Sequence, residues 1–216
     1  MILLDAQAPA QLRLWDLCLN GGWIMIVLAA LLVVAIYVII ERAIVIRAAS
    51  KQDTTFMKRI KDYIHSGEIE NARNLCDQTD TPYARLIGKG LSRIGRPMND
   101  VLVTVENTGN LEVASLSKGL TWLATIAGGA PMIGFLGTVI GMVQSFFDIA
   151  NSGSSAQIGT FADGIYTALV TTVAGLIVGI IAMFAYNYLV ARVNKVMNLM
   201  EAHIMEFMDL LNEPAK

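Results

Sequence analysis

The sequence predicts an all-α integral membrane protein with three transmembrane helices, the second and third long enough to extend into a helical cytoplasmic region. Two observations carry that prediction. Of 216 residues, 55% are hydrophobic and only 16% are charged, which is too apolar for an ordinary soluble domain of this size. The apolar residues are gathered in three charge-free blocks, Gly21 to Ile40, Gly119 to Phe147 and Gly164 to Ala191. A helix needs about 20 apolar residues to cross a hydrocarbon core, and each block supplies them.

Residues 1–20 form an amphipathic segment, and Trp15 and Trp23 suit a membrane interface, so this stretch is expected along the outer leaflet. The first block, 21–40, differs from a secretory signal. Its apolar run is too long, the segment before it carries Asp5, Arg13 and Asp16, and it ends in Glu41-Arg42 with no small-residue cleavage site. It is expected to be a retained span.

The region 41–118 has helical periodicity. Phe56, Ile60, Tyr63 and Ile64 recur at three- and four-residue spacings, Gly67 interrupts them, and Ile69, Ala72, Leu75 and Cys76 resume. A third helix is expected to start near Pro82 and stop before Pro97. From Asn99 a long run is expected to feed directly into the second membrane block. No linker or repeat sets this region apart as a separate soluble domain.

The second and third spans, 119–147 and 164–191, would be about 43 and 42 Å long as helices, beyond a core of about 30 Å. A short loop, 148–163, joins them. In 192–216, Val193, Val196, Met197, Met200, Ile204, Phe207, Met208 and Leu211 form one apolar stripe, expected to continue the third helix as packing surface.

Lysine and arginine set the orientation. Twelve of the 16 fall between Arg42 and Lys118, and the 148–163 loop has none. By the positive-inside tendency, the N-terminus and that loop are periplasmic, while 41–118 and 192–216 are cytoplasmic. Cys18 and Cys76 then lie on opposite sides of the membrane and cannot pair within one chain. The net charge of −2 and the lack of a basic, aromatic-rich patch exclude a nucleic-acid partner. Walker-type loops, HExxH and GxSxG are absent, and His65 and His203 are isolated, so neither an enzyme nor a metal site is predicted.

The stretch "GGAPMIGFLGTVIGM" (128–142) puts five glycines and a proline in the second span. On a helix, Ala130, Gly134, Gly137 and Gly141 share one face that permits close approach by another helix. Gly164, Ala168, Gly175 and Gly179 form a similar line in the third span. These faces are expected to hold a ring of subunits together. Pro131 is expected to kink its helix and free a carbonyl.

Packing alone does not need hydroxyls. Thr138 shares a face with Gly134, Gly141 and Ser145, while Thr167 and Thr171 are one turn apart with Thr172 beside them. A single membrane threonine usually bonds its own backbone. Four at comparable depth on two glycine-rich helices point to a polar path.

"GGAPMIGFLGTVIGMVQSF" and "FADGIYTALVTTVAGLIVGIIAMFAYNYL" together resemble the paired second and third membrane helices of the MotA/TolQ/ExbB ion-channel family, with the nearest likeness to ExbB-like members. Glu41-Arg42 and "TPYARLIGKGL" extend the resemblance. It implies a pentameric, inner-membrane channel subunit that uses the proton motive force. Its implied partners are an ExbD-like single-span subunit carrying a membrane aspartate and a TonB-like protein that energises outer-membrane transport. TolQ-like envelope maintenance is an alternative duty, and the four spans usual in flagellar MotA-type members argue against that one. Thr138 and Thr172 match the pathway threonines of the family's second and third helices.

Thr167 departs from the family pattern, which has a glutamate there. A proton relay needs groups that ionise, and neither the second nor the third span offers one. Asp148 and Asp163 sit at the outer ends, where loop solvation or helix capping accounts for them. A proton path therefore requires a carboxylate from a partner. Sodium held by threonine and carbonyl oxygens is the alternative ion, and a non-conducting scaffold is the alternative class. No cofactor is expected.

Overall fold

The computed structural model describes residues 22–51, 53, 55–152 and 158–212. The N-terminal segment 1–20, with Trp15 and Cys18, lies outside the described residues, as does the tail beyond 212. Among the described residues there are seven helices and no strand. They are α1 (Gly22–Ala49), α2 (Phe56–His65), α3 (Ile69–Gln78), α4 (Pro82–Leu91), α5 (Met98–Ser117), α6 (Leu120–Ser152) and α7 (Ile158–Asn212). Three are long and apolar enough to cross a membrane, namely α1, α6 and α7. α7 has 55 residues, so the third span and the apolar stripe that follows it belong to one continuous helix.

The helix ends differ from the expected ones where the sequence carries no strong stop signal. The first helix does not end at Ile40; it continues through Glu41 and Arg42 to Ala49. The run from Asn99 does not feed into the second span. α5 stops at Ser117, Lys118 takes an extended conformation, and Gly119 turns the chain at φ +85, a left-handed angle that favours glycine. α6 runs through Pro131 unbroken. Asp148 and Asp163 lie inside α6 and α7 respectively, so the expected 148–163 loop is helical at 148–152 and 158–163, and Asp163 caps no helix start; 153–157 lie outside the described residues.

The chain divides into two compact units. One comprises the described residues up to Ile36 together with Ala124–Met183, and the other Tyr37–Leu123 together with Phe184–Lys216 as far as described. In the second unit the short amphipathic helices bury Phe56, Ile60, Leu86, Ile87 and Val105 with Phe207 of α7. Gly90 makes room for Phe207: a Cβ at Gly90 would stand 2.5 Å from its ring and 3.0 Å from Val105. Phe56 meets Tyr83 edge-on at 5.1 Å, and Tyr83 meets His203 at 5.0 Å. The α7 stripe buries Val193, Val196, Met200 and Phe207, and also Leu210, which the sequence pattern did not include.

Polar contacts fix this unit's register. Arg85 grips Glu112 through Nε and Nη2, both at 2.8 Å, and gives Nη1 to Asp80 at 2.6 Å. Buried Arg42 pairs with Glu41 and donates Nη1 to the Ser115 carbonyl at 3.2 Å.

Cys76 is buried in the same unit, and desolvation, with a smaller contribution from the Asp77 charge, pushes its thiol up to about 12. Only the thiolate reacts rapidly with maleimides. In a Cys18→Ser background the folded protein is therefore expected to resist maleimide labelling at pH 8 and to label fully once denatured. Rapid labelling of the folded protein would contradict this packing.

Candidate functional site

In the first unit, α6 and α7 touch along their small residues. A Cβ at Gly134 would stand 2.7 Å from the Thr171 carbonyl oxygen and 3.1 Å from the Gly175 Cα. One at Gly175 would stand 2.6 Å from the carbonyl oxygen of Ala130, itself fully buried, and 2.9 Å from the Gly134 Cα. Gly141 rests on Ala168, Gly137 on Thr171 and on Ile24 of α1, and Gly164 on Ser145. Gly179 sits against Pro131, whose missing N–H leaves the Ala127 carbonyl free, and a Cβ at Gly179 would stand 3.1 Å from that oxygen. The glycine faces thus meet each other inside one chain. Gly128 and Gly129 have nothing within 4 Å of where a Cβ would be.

Close approach of the backbones places carbonyl oxygens of each helix within reach of hydroxyls on the other. Thr138 Oγ1 donates to Ala168 O across the interface at 3.1 Å, with its own Gly134 O at 3.5 Å. Thr172 Oγ1 reaches Gly134 O at 3.1 Å from the other side, and the Thr138 and Thr172 hydroxyls also contact each other. Thr171 Oγ1 lies 2.7 Å from Ala168 O and 3.2 Å from Gly134 O. Three hydroxyls therefore converge on two carbonyls. Each hydroxyl has one proton, and each carbonyl already accepts its own helical N–H, so the two lone pairs left take two of the hydroxyls and the contact between Thr138 and Thr172 takes the third. The remaining hydroxyl lone pairs stay available as acceptors.

Thr138 and Thr171 are buried, whereas Thr172 is half-buried. Thr167 is half-buried one turn before Thr171 and makes no hydrogen bond among the described residues, so it stands apart from the other three. Ser145 bonds its own Gly141 O at 2.8 Å, the local pattern ordinary for a membrane hydroxyl. The Gly134 and Ala168 carbonyls were missed in the sequence reading. Only the glycine spacing hinted at them, because every residue carries a carbonyl and helix contact alone decides which are reached.

Charge is missing from this site. Neither helix carries an Asp, Glu, His, Lys or Arg between Leu120 and Phe147 or between Gly164 and Ala191. Among the described residues no three His, Cys, Asp or Glu side chains gather to hold a metal.

The sequence model of the MotA/TolQ/ExbB proton channel family matches residues 78–202, which include both helices of this site. The chain belongs to that family. It is 30% identical to an ExbB homolog, named as a biopolymer transport protein, of Methanothermobacter thermautotrophicus over 81% of this chain and 62% of that protein. It is 31% identical to a biopolymer transport protein ExbB-like 1 of Synechocystis over 83% of this chain and 71% of the relative. The Tol-Pal system protein TolQ of Haemophilus influenzae is 29% identical over 95% of this chain and 96% of its own length. The first of these extends well beyond the matched part. A family member with three apolar helices of spanning length is a membrane protein of channel-like type, related to ExbB and TolQ alike.

Proposed function

We propose that this chain is the ExbB-like subunit of a proton-driven inner-membrane motor. It forms a homo-oligomeric ring, a pentamer on the family resemblance, with a periplasmic N-terminus. The ring works with an ExbD-like single-span partner to energise a TonB-like protein. The convergence of Thr138, Thr171 and Thr172 on two carbonyls, in spans that carry no carboxylate, histidine, lysine or arginine, carries this reading. Hydroxyl lone pairs offer a polar lining for an ion or water but cannot take up and release a proton near neutral pH. The partner's aspartate must do that, and the lining lowers the cost of bringing a carboxylate to that depth.

The test is reconstitution in vesicles with the ExbD-like partner of the same genome, followed by a pH-sensitive dye. Proton flux is expected only with both proteins present, lost on Asp→Asn in the partner span, and insensitive to replacing sodium with choline. Flux from this chain alone would overturn the division of labour, and flux that needs sodium would make sodium the ion.

TolQ-like duty is the second reading, favoured by the near full-length match to the Haemophilus protein. Deletion separates the two: loss of uptake through outer-membrane receptors supports the first, and outer-membrane leakage with normal uptake supports the second.

A further inference from the structure

The second unit holds a hollow of about 600 Å³ between the end of α1 and α7. Arg47, Lys51 and Arg192 line it together with Ser50 and Tyr188, and no carboxylate does. Among the described residues Arg47 and Lys51 have no ion-pair partner. Arg192 gives Nε and Nη2 to the Tyr188 hydroxyl at 3.0 and 2.9 Å and lies 5.2 Å from its ring centre. Glu41, the nearest acid before them on α1, is engaged by Arg42.

Two ordinary explanations cover part of this. Cations at the end of α1 complement its dipole, which accounts for Arg47 and Lys51 but not for Arg192, which sits inside α7. A positive-inside bias accounts for the number of cations at one end of the spans but does not require them to face one hollow. Three like charges around a common space repel one another unless an anion shares it. All the polar groups there can donate, and phosphate oxygens only accept.

The apolar surroundings decide which phosphate fits. Ile40 and Ile44 on α1 and Phe184 on α7, within a turn of lining residues, are 56%, 65% and 68% exposed. A free phosphate would use the hollow alone, whereas a lipid would use the hollow and these flanks. We propose that the hollow binds the phosphodiester headgroup of an anionic phospholipid, with its acyl chains along Ile40, Ile44 and Phe184. Basic pockets between membrane helices take such headgroups in other proteins.

Native mass spectrometry of the detergent-purified full chain tests this, by titration with phosphatidylglycerol and phosphatidylcholine. Phosphatidylglycerol is expected to bind in preference. Removing one cation should weaken it roughly fivefold, and the triple variant Arg47→Gln, Lys51→Gln, Arg192→Gln roughly a hundredfold. The charge-matched variant Lys58→Gln, Arg59→Gln, Arg96→Gln should bind like wild type. Equal loss in that control, or no preference over phosphatidylcholine, would overturn the proposal. Displacement by millimolar glycerol phosphate as effective as by lipid would also overturn it, in favour of a soluble anion. Should the triple variant misfold, Lys51→Gln alone carries the test, because that side chain is exposed and its fivefold loss is measurable.

Discussion

Gly175→Val is expected to abolish the folded α6–α7 pair, whereas Gly128→Val should leave it intact. The two glycines are alike in the sequence, both small residues in a charge-free membrane helix, and only their surroundings separate them. Any Cβ at Gly175 would stand 2.6 Å from the Ala130 carbonyl oxygen and 3.1 Å from the Gly134 amide nitrogen, all of it backbone that cannot rotate aside. The helices would have to part. Overpacking a well-filled contact costs about 1–3 kcal/mol even where side chains can give way. Separation would also strip Thr138 and Thr172 of their cross-helix acceptors. At Gly128 nothing lies within 4 Å. In a chain of this size each kcal/mol lowers a melting midpoint by about 2–4 °C. A thermal melt in detergent, with elution profile alongside, should show aggregation or a shift of about 10 °C for Gly175→Val and little change for Gly128→Val. Matching midpoints would contradict the helix contact.

That pair also shows how far the sequence could be read. Three spans were legible because length and apolarity alone decide whether a helix crosses a bilayer. The glycine faces were legible from helical spacing. Which face meets which was not, because spacing is the same for a contact within a subunit and one between subunits. Helix ends were least legible. Glu41-Arg42 reads as the end of a span yet breaks no helix, and Arg42 is held inside it by Glu41 and the Ser115 carbonyl, 73 residues on. Gly119 reads as one more small residue in an apolar block, although its positive φ ends one helix and starts another. Of four candidate threonines, the three within reach of Gly134 and Ala168 form one cluster and Thr167 lies outside it. Thr167 shares a face with Thr171 but sits one turn before it, so depth along the helix contact separates them, and which turn meets Gly134 was unknown until α6 and α7 were paired.

The hydroxyl lining is the central claim, and it separates fold from function. Replacing Thr138 and Thr172 by valine keeps side-chain shape nearly constant and removes only the polar group. The fold should survive. Thr171 still reaches Ala168 O at 2.7 Å, the glycine contacts are untouched, and hydrogen bonds between membrane helices contribute only about 0.6 kcal/mol each on average. Coupling should not survive, because a polar group that loses its hydrogen-bond partners at depth costs about 1–3 kcal/mol, which is roughly 5- to 150-fold in an equilibrium or rate. Thr→Ser at both sites keeps the hydroxyls and should retain most activity. The most direct measurement is gradient-dependent transport by cells carrying the Thr138→Val, Thr172→Val double variant, with oligomer size measured in parallel. A loss of transport of about tenfold or more with an unchanged oligomer is the expected result. Full transport by the double variant would contradict a hydroxyl-lined path and leave the three threonines as a clasp between two helices.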